Sequence, residues 1–243
     1  MNKYYYDLHI HSCLSPCADN DMTPNNIAGM AVVNGLQIVA LTDHNSTKNC
    51  RAFYAAAKKQ GIIPIAGMEL TTSEDIHLVC LFPTLESAEE FDAGFQKYRV
   101  LYKNRKDIFG DQLILDENDE QTGEEEYLLP NASSLSIDDA TALAQSYGAV
   151  VFPAHIDREE NGIIAALGGL PEAPRFSCVE LRGRENKAEY TEKYGLADKL
   201  IVTDSDAHYL WDISEAENFL ELEDEPYSSS LVREKLFEKL RQK

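Results

Sequence analysis

Short, continuous apolar runs alternate along this chain with longer stretches whose apolar residues recur at helical spacing. The short runs are Leu36 to Leu41, Ile62 to Ile65, Leu78 to Phe82, Ala149 to Phe152, Ser177 to Leu181 and Lys199 to Thr203, preceded by a β-like Tyr4 to Tyr6. Runs of this length without polar alternation are the pattern of strands buried on both faces, as in a parallel sheet. Between them the pattern predicts helices. Thr23-Pro24 supplies a hydroxyl cap and a proline at the first helical position, Ile27, Met30 and Ala31 follow at helical spacing, and Gly35 closes. A second helix covers 50–60 and ends at Gly61, and a third covers 86–104. A fourth opens at Ser136 with Asp139 in near capping-box position and ends at Gly148, and the tail closes with Val232, Leu236, Phe237 and Leu240 on one face. Strands alternating with helices predict an α/β fold, and the first strand, helix and second strand read as a βαβ unit.

No repeat or boundary divides the 243 residues, so one domain over 1–243 is expected. Residues 105–135 break the pattern: Asp116, Glu117, Asp119, Glu120 and Glu124 to Glu126 dominate, which predicts an acidic surface insertion. The Asp-x-Asp-x-Asp-Gly order of a calcium loop is absent from it. The net charge of −20 argues against a long nucleic acid as partner, whereas a small phosphorylated substrate stays open if metals supply the positive charge. No apolar stretch predicts a signal peptide or a membrane partner. Five scattered cysteines suit a reduced, cytoplasmic protein.

The histidines carry the chemistry. His9 and His11 alternate on an extended segment, so both rings face one side. His44 ends the second strand beside Asp43, His155 follows the run ending at Phe152, and Asp206-Ala207-His208 follows the last run. Five of the six histidines thus sit at or beyond C-terminal strand ends, where a parallel α/β fold opens its ligand crevice. His77 precedes its strand, and the strand-end rule does not place it. Glu69, just past the Ile62–Ile65 run, could bridge two metals or be an ordinary solvated strand end. Imidazoles mixed with carboxylates suit zinc, manganese or iron better than calcium or magnesium.

Asp7-Leu8-His9-Ile10-His11, Thr42-Asp43-His44, Glu69, His77, His155 and Asp206-Ala207-His208 together resemble the PHP family, named for polymerase and histidinol phosphatase. The resemblance covers nearly the whole chain. It implies a distorted (β/α)7 TIM-like barrel with a trinuclear centre of two or three divalent metal ions at the C-terminal strand ends. One metal would lie between His9, His11, Glu69 and Asp206, and a second between Glu69, His77 and His155. A third would take His44, His208 and a ligand from the loop after His11, for which Asp19 is favoured by its distance from Thr23-Pro24 and Cys17 is the rival. The implied activity is that of a metal-dependent phosphoesterase using metal-activated water, with Asp206, His208 and Glu69 as catalytic groups and Arg158, Arg182 and Arg184 as candidate phosphate contacts. A small phosphomonoester, such as a nucleotide or amino-alcohol phosphate, is the expected substrate. Phosphodiester or 3′-end hydrolysis of short oligonucleotides, amidohydrolase-like C–N hydrolysis, and a non-catalytic metal-binding regulatory module are the alternatives.

Overall fold

In the computed structural model, which describes residues 1–242, the chain runs β1 (Asn2–Asp7), α1 (Pro24–Val33), β2 (Ile38–Leu41), α2 (Cys50–Lys59), β3 (Ile63–Thr71) and β4 (His77–Phe82). It continues α3 (Leu85–Phe95), α4 (Lys106–Phe109), β5 (Leu113–Leu115), β6 (Gln121–Glu124), α5 (Ile137–Ser146) and β7 (Val150–Pro153). The last third is α6 (Ile163–Leu167), β8 (Cys178–Leu181), α7 (Lys187–Tyr194), β9 (Leu200–Thr203), β10 (Phe219–Leu222) and α8 (Ser229–Arg241). The predicted caps form: Thr23 accepts from the Asn26 N–H, and Ser136 from the Asp139 N–H. The third helix is shorter than its apolar spacing predicts. After Phe95 the side chains Val100, Leu101 and Tyr102 find no core to cover, so α3 ends and Arg99 is already extended.

The fold is α/β, with a curled six-stranded sheet in the order β10-β1-β2-β3-β4-β7. The parallel pair β8–β9 bridges its two sides: the Ile156 N–H donates to the Glu180 carbonyl, and Ile10 pairs in parallel with Ala207. The expected β/α repeat breaks at one place. β3 and β4 are joined by Thr72–Ile76 with no helix, Asp75 taking a left-handed φ of 62° as the chain reverses. β4 therefore runs antiparallel to both β3 and β7. Its first residue lies where its neighbours end, which is why His77 precedes its strand and still reaches the crevice.

Two apolar clusters hold this frame. The outer one packs α1, α2, α3 and α5 on the sheet through residues such as Ile27, Phe53, Phe91 and Ala140. The inner one fills the curl with Tyr4, Tyr6, Ile65, Val79, Phe152 and Val202, and α8 closes it with Val232, Leu236, Phe237 and Leu240. Burying each of those α8 side chains contributes about 1.5–3 kcal/mol, so the tail is a structural plug. Residues 105–135 are ordered, with a β5–β6 hairpin fixed by the buried Gln112, which reaches the carbonyls of Glu125 and Tyr127.

Candidate metal centre

Each strand end delivers its ligand by local geometry. β1 stops at Asp7, and the face changes there: Tyr4, Tyr6 and Leu8 belong to the inner cluster but Ile10 to the outer. His9 and His11 consequently turn inward, their Nε2 atoms 3.2 Å apart. Glu69 lies within β3, which outlasts the predicted run, and alternation puts it on the face of Ile63 and Ile65 while Met68 and Leu70 face the helices. His155 (φ 29°) and Asp206 (φ 51°) hold left-handed backbone conformations unusual for non-glycine residues, a strain that concentrates at functional sites.

Glu69 is the hub. Its Oε1 lies 2.8 Å from His77 Nδ1, 3.1 Å from His155 Nε2 and 3.3 Å from His9 Nε2, while Oε2 lies 2.9 Å from His44 Nδ1 and 3.2 Å from His11 Nε2. Asp206 Oδ1 completes the floor, 3.4 Å from His11 and 3.6 Å from His9. All six histidines of the chain converge here, and all but the half-buried His208 are buried. The groups that meet within metal-ligand reach are His9, His11, Glu69 and Asp206; His44, Glu69 and His77; and His11, His44 and His208. Buried Glu69 Oε2 and His44 Nδ1 face each other and neither has a hydrogen-bond partner. Buried polar atoms left unpaired at this density are expected where a cation belongs, so the donor set fits divalent metals.

The surroundings orient the ligands. His9 Nδ1 lies 2.8 Å from Glu180 Oε2, so Nδ1–H can donate there while Nε2 faces the centre. Glu180 also accepts the His155 N–H through Oε1. His11 Nδ1 meets Ser15 Oγ at 3.0 Å, and Ser15 donates to Asp43, which also takes Ser12. Glu180 was missed in the sequence. Its signal was a lone glutamate inside the buried run Cys178–Leu181, where a charge is costly unless it is engaged.

Other expected residues scatter. Cys17 lines the pocket beside His44. Asp19 is exposed, and its Oδ1 accepts the Asp21 N–H, outside all three groups. Arg158 lines the pocket, its Nη1 2.7 Å from Asp206 Oδ2, while Arg182 and Arg184 point to solvent away from it. Phe109, Leu128 and Pro130 show that the 105–135 segment forms one wall of this 530 Å³ pocket. A larger cavity of 710 Å³, beside Arg175, Phe176 and Lys199 at the opposite end of β8 and β9, gathers no metal-ligating group among the described residues.

The family model of the PHP domain matches residues 7–148, more than half of the chain. The chain belongs to the PHP domain family. It is 32% identical over 104 residues to a 5′-3′ exoribonuclease of Haemophilus influenzae, which covers 42% of this chain and 34% of that protein. Its fold matches the lesion-specific endonuclease Q of Pyrococcus furiosus with a TM-score of 0.69 at 17% identity, over 99% of this chain and 56% of that one. It also matches a metal-dependent phosphoesterase of Bifidobacterium adolescentis, with a TM-score of 0.60 at 18% identity, over 96% of both chains. The chain thus spans about a third of that exoribonuclease and just over half of the endonuclease.

One expectation falls here. An endonuclease Q of the same fold (TM-score 0.65, 17% identity) has been solved with a 27-mer duplex carrying an abasic lesion at its active site, so the exclusion of long nucleic acid is withdrawn. Net charge sums the whole surface, whereas a strand meets only the potential at the cleft and the metals in it.

Metal binding by this PHP domain should depend steeply on pH. Burial alone would lower His11 and His44, but Asp206 and Glu69 beside His11, and Cys17 and Glu69 beside His44, hold both at about 9. Below that value the rings carry protons that a metal must displace. Affinity should therefore weaken as pH falls from 9 to 6, with protons released on binding at pH 7.5. Calorimetry in buffers of different ionisation enthalpy checks both, and an absence of proton release would contradict the assignment.

Proposed function

We propose that this PHP domain is a metal-dependent phosphodiesterase that cleaves single-stranded nucleic acid, rather than a phosphatase of small monoesters. The observation that carries the reading is its 32% identity over 104 residues with an exoribonuclease. The fold shared with an endonuclease that holds DNA at its active site supports it. Two or three divalent ions, of zinc, manganese or iron, would be held by His9, His11, Glu69 and Asp206, by Glu69, His77 and His155, and by His44, His208 and Cys17. When bound, such ions supply the acidity that activates a water and the positive charge that offsets a phosphate.

The protein's own part is positioning. Asp206 points Oδ1 at His9 and His11 and holds Arg158 on Oδ2, so the guanidinium stands over the centre where a phosphate oxygen would arrive. His208 Nδ1 donates to the Asp206 carbonyl at 2.8 Å. Burial, with His11 and His44 nearby, lowers its pKa to about 4, so at neutral pH its Nε2 is free to bind or to accept a proton.

The decisive assay compares single-stranded RNA and DNA 10-mers with p-nitrophenyl phosphate in the presence of manganese, with Asp206→Asn as control. Strand cleavage that the control lacks supports the proposal. Monoester turnover without strand cleavage would return the protein to the small-phosphomonoester class.

The loop ligand separates into its own test. Cys17→Ser should remove the near-ultraviolet thiolate band of the cobalt-loaded protein and lower metal content, whereas Asp19→Asn should keep both. The reverse result would assign the site to Asp19.

A further inference from the structure

Residues 97–109 differ in character from the rest of this acidic chain. Lys97, Arg99, Lys103, Arg105 and Lys106 fall within ten residues that contain no acid, in a protein of net charge −20. Between and just beyond them Val100, Leu101, Tyr102, Ile108 and Phe109 are exposed, Tyr102 by 55% and Phe109 by 39%. The segment is a fixed shelf. The Asn104 N–H donates to the Glu126 carbonyl at 2.9 Å and the Leu128 N–H to the Tyr102 carbonyl at 2.7 Å. Gly110, at φ 100°, passes so close to the loop before Cys17 that a Cβ would meet the Pro16 carbonyl oxygen at 2.3 Å. Phe109 lines the metal pocket, so the shelf starts at its mouth.

The cations on it are available. Lys103 pairs with Glu126 at 3.4 Å and Arg105 with Asp107 at 3.0 Å, while Lys106 pairs with Glu124 at 2.5 Å and with Asp111 at 3.4 Å. All three cations are exposed, and so are their partners apart from the half-buried side chains of Asp111 and Glu124; such surface pairs contribute only about 0–1 kcal/mol, so a phosphate can take the cation over. Arg99 differs: its side chain is buried against Glu125 and holds the segment in place.

We propose that this shelf carries the strand leading away from the scissile phosphate, with backbone phosphates on Lys103, Arg105 and Lys106 and bases stacked on Tyr102 and Phe109. Interleaved cations and flat aromatic faces are what a single strand uses, since every base offers a stacking surface. The inference rests on the nucleic-acid reading above. Continuity with the pocket favours this occupant over a second copy of the chain, which the apolar residues would also admit.

The test measures the ratio of kcat/KM for a single-stranded 10-mer to that for a dinucleotide. In Lys103→Gln/Arg105→Gln/Lys106→Gln the ratio should fall about tenfold or more. The slope of log binding against log salt for the 10-mer should drop by about 2, from three lost phosphate contacts. Tyr102→Ala should lower the ratio with the salt slope kept, and Lys235→Gln on α8 should alter neither. An unchanged ratio in the triple variant of an enzyme that cleaves the 10-mer overturns the shelf, all the more if light scattering shows that the variant has lost a dimer. If the wild-type protein cleaves neither substrate, the nucleic-acid activity fails by itself. Anisotropy of a labelled 10-mer then decides the shelf: binding lost in the triple variant supports it, and binding retained overturns it.

Discussion

Glu69→Gln is expected to reduce metal-dependent hydrolysis by about 10²–10³-fold or more, the scale of removing a charge-stabilising group from an active site. The substitution keeps size and one carbonyl oxygen, so the fold should survive. What it removes is the negative charge that five imidazoles share, from His9, His11, His44, His77 and His155. Burial would raise the Glu69 pKa, but His77, His9 and His44 pull it well below the ordinary carboxylate value, so it is ionised throughout the working range. A glutamine also turns an N–H₂ toward one side of the cluster, where only acceptors can ligate. Metal content measured by mass spectrometry should therefore drop together with rate, and added manganese should not restore either. Full activity with full metal content would remove Glu69 from the centre.

Much of this site was legible because the chemistry follows backbone periodicity. His9, His11, His44, His155 and His208 stand at strand ends that hydrophobic runs alone locate, and the sheet brings those ends together. His77 was not legible, since strand direction is set by pairing: the reversal at Asp75 turns β4 against β3, and no property of the run Leu78–Phe82 shows it. Asp19 and Cys17 could not be separated by spacing, because the loop from Ser12 to Asp21 is shaped by turns and by Asp43, which gathers Ser12 and Ser15. The 105–135 segment misled by its composition. Its acids do dominate the count, yet the wall it presents to the pocket is Phe109, Leu128 and Pro130, and the basic run beside it begins upstream at Lys97.

Glu180→Gln should weaken metal binding by about 10–100-fold, the scale of losing an outer-shell partner, which corresponds to roughly 1.4–2.8 kcal/mol. The carboxylate accepts two donors at once, His9 Nδ1–H at 2.8 Å and the His155 N–H at 3.1 Å. An amide has one oxygen and can serve only one of them. The backbone N–H of His155 cannot change its role, so the amide oxygen stays with it and the N–H₂ faces His9. His9 then relieves the clash by moving its proton from Nδ1 to Nε2, the atom that faces the centre, and in that tautomer it cannot ligate. This differs from Glu69→Gln in a measurable way. The ligand set of the Glu180→Gln protein is intact, so excess metal should recover most of its activity, while the ¹⁵N shifts of the His9 ring in the metal-free protein, taken at a pH high enough to leave the ring neutral, should show the tautomer exchanged. Undiminished metal affinity with an unchanged tautomer would mean that packing alone orients His9, and that Glu180 serves only to fix the backbone of β7 and β8.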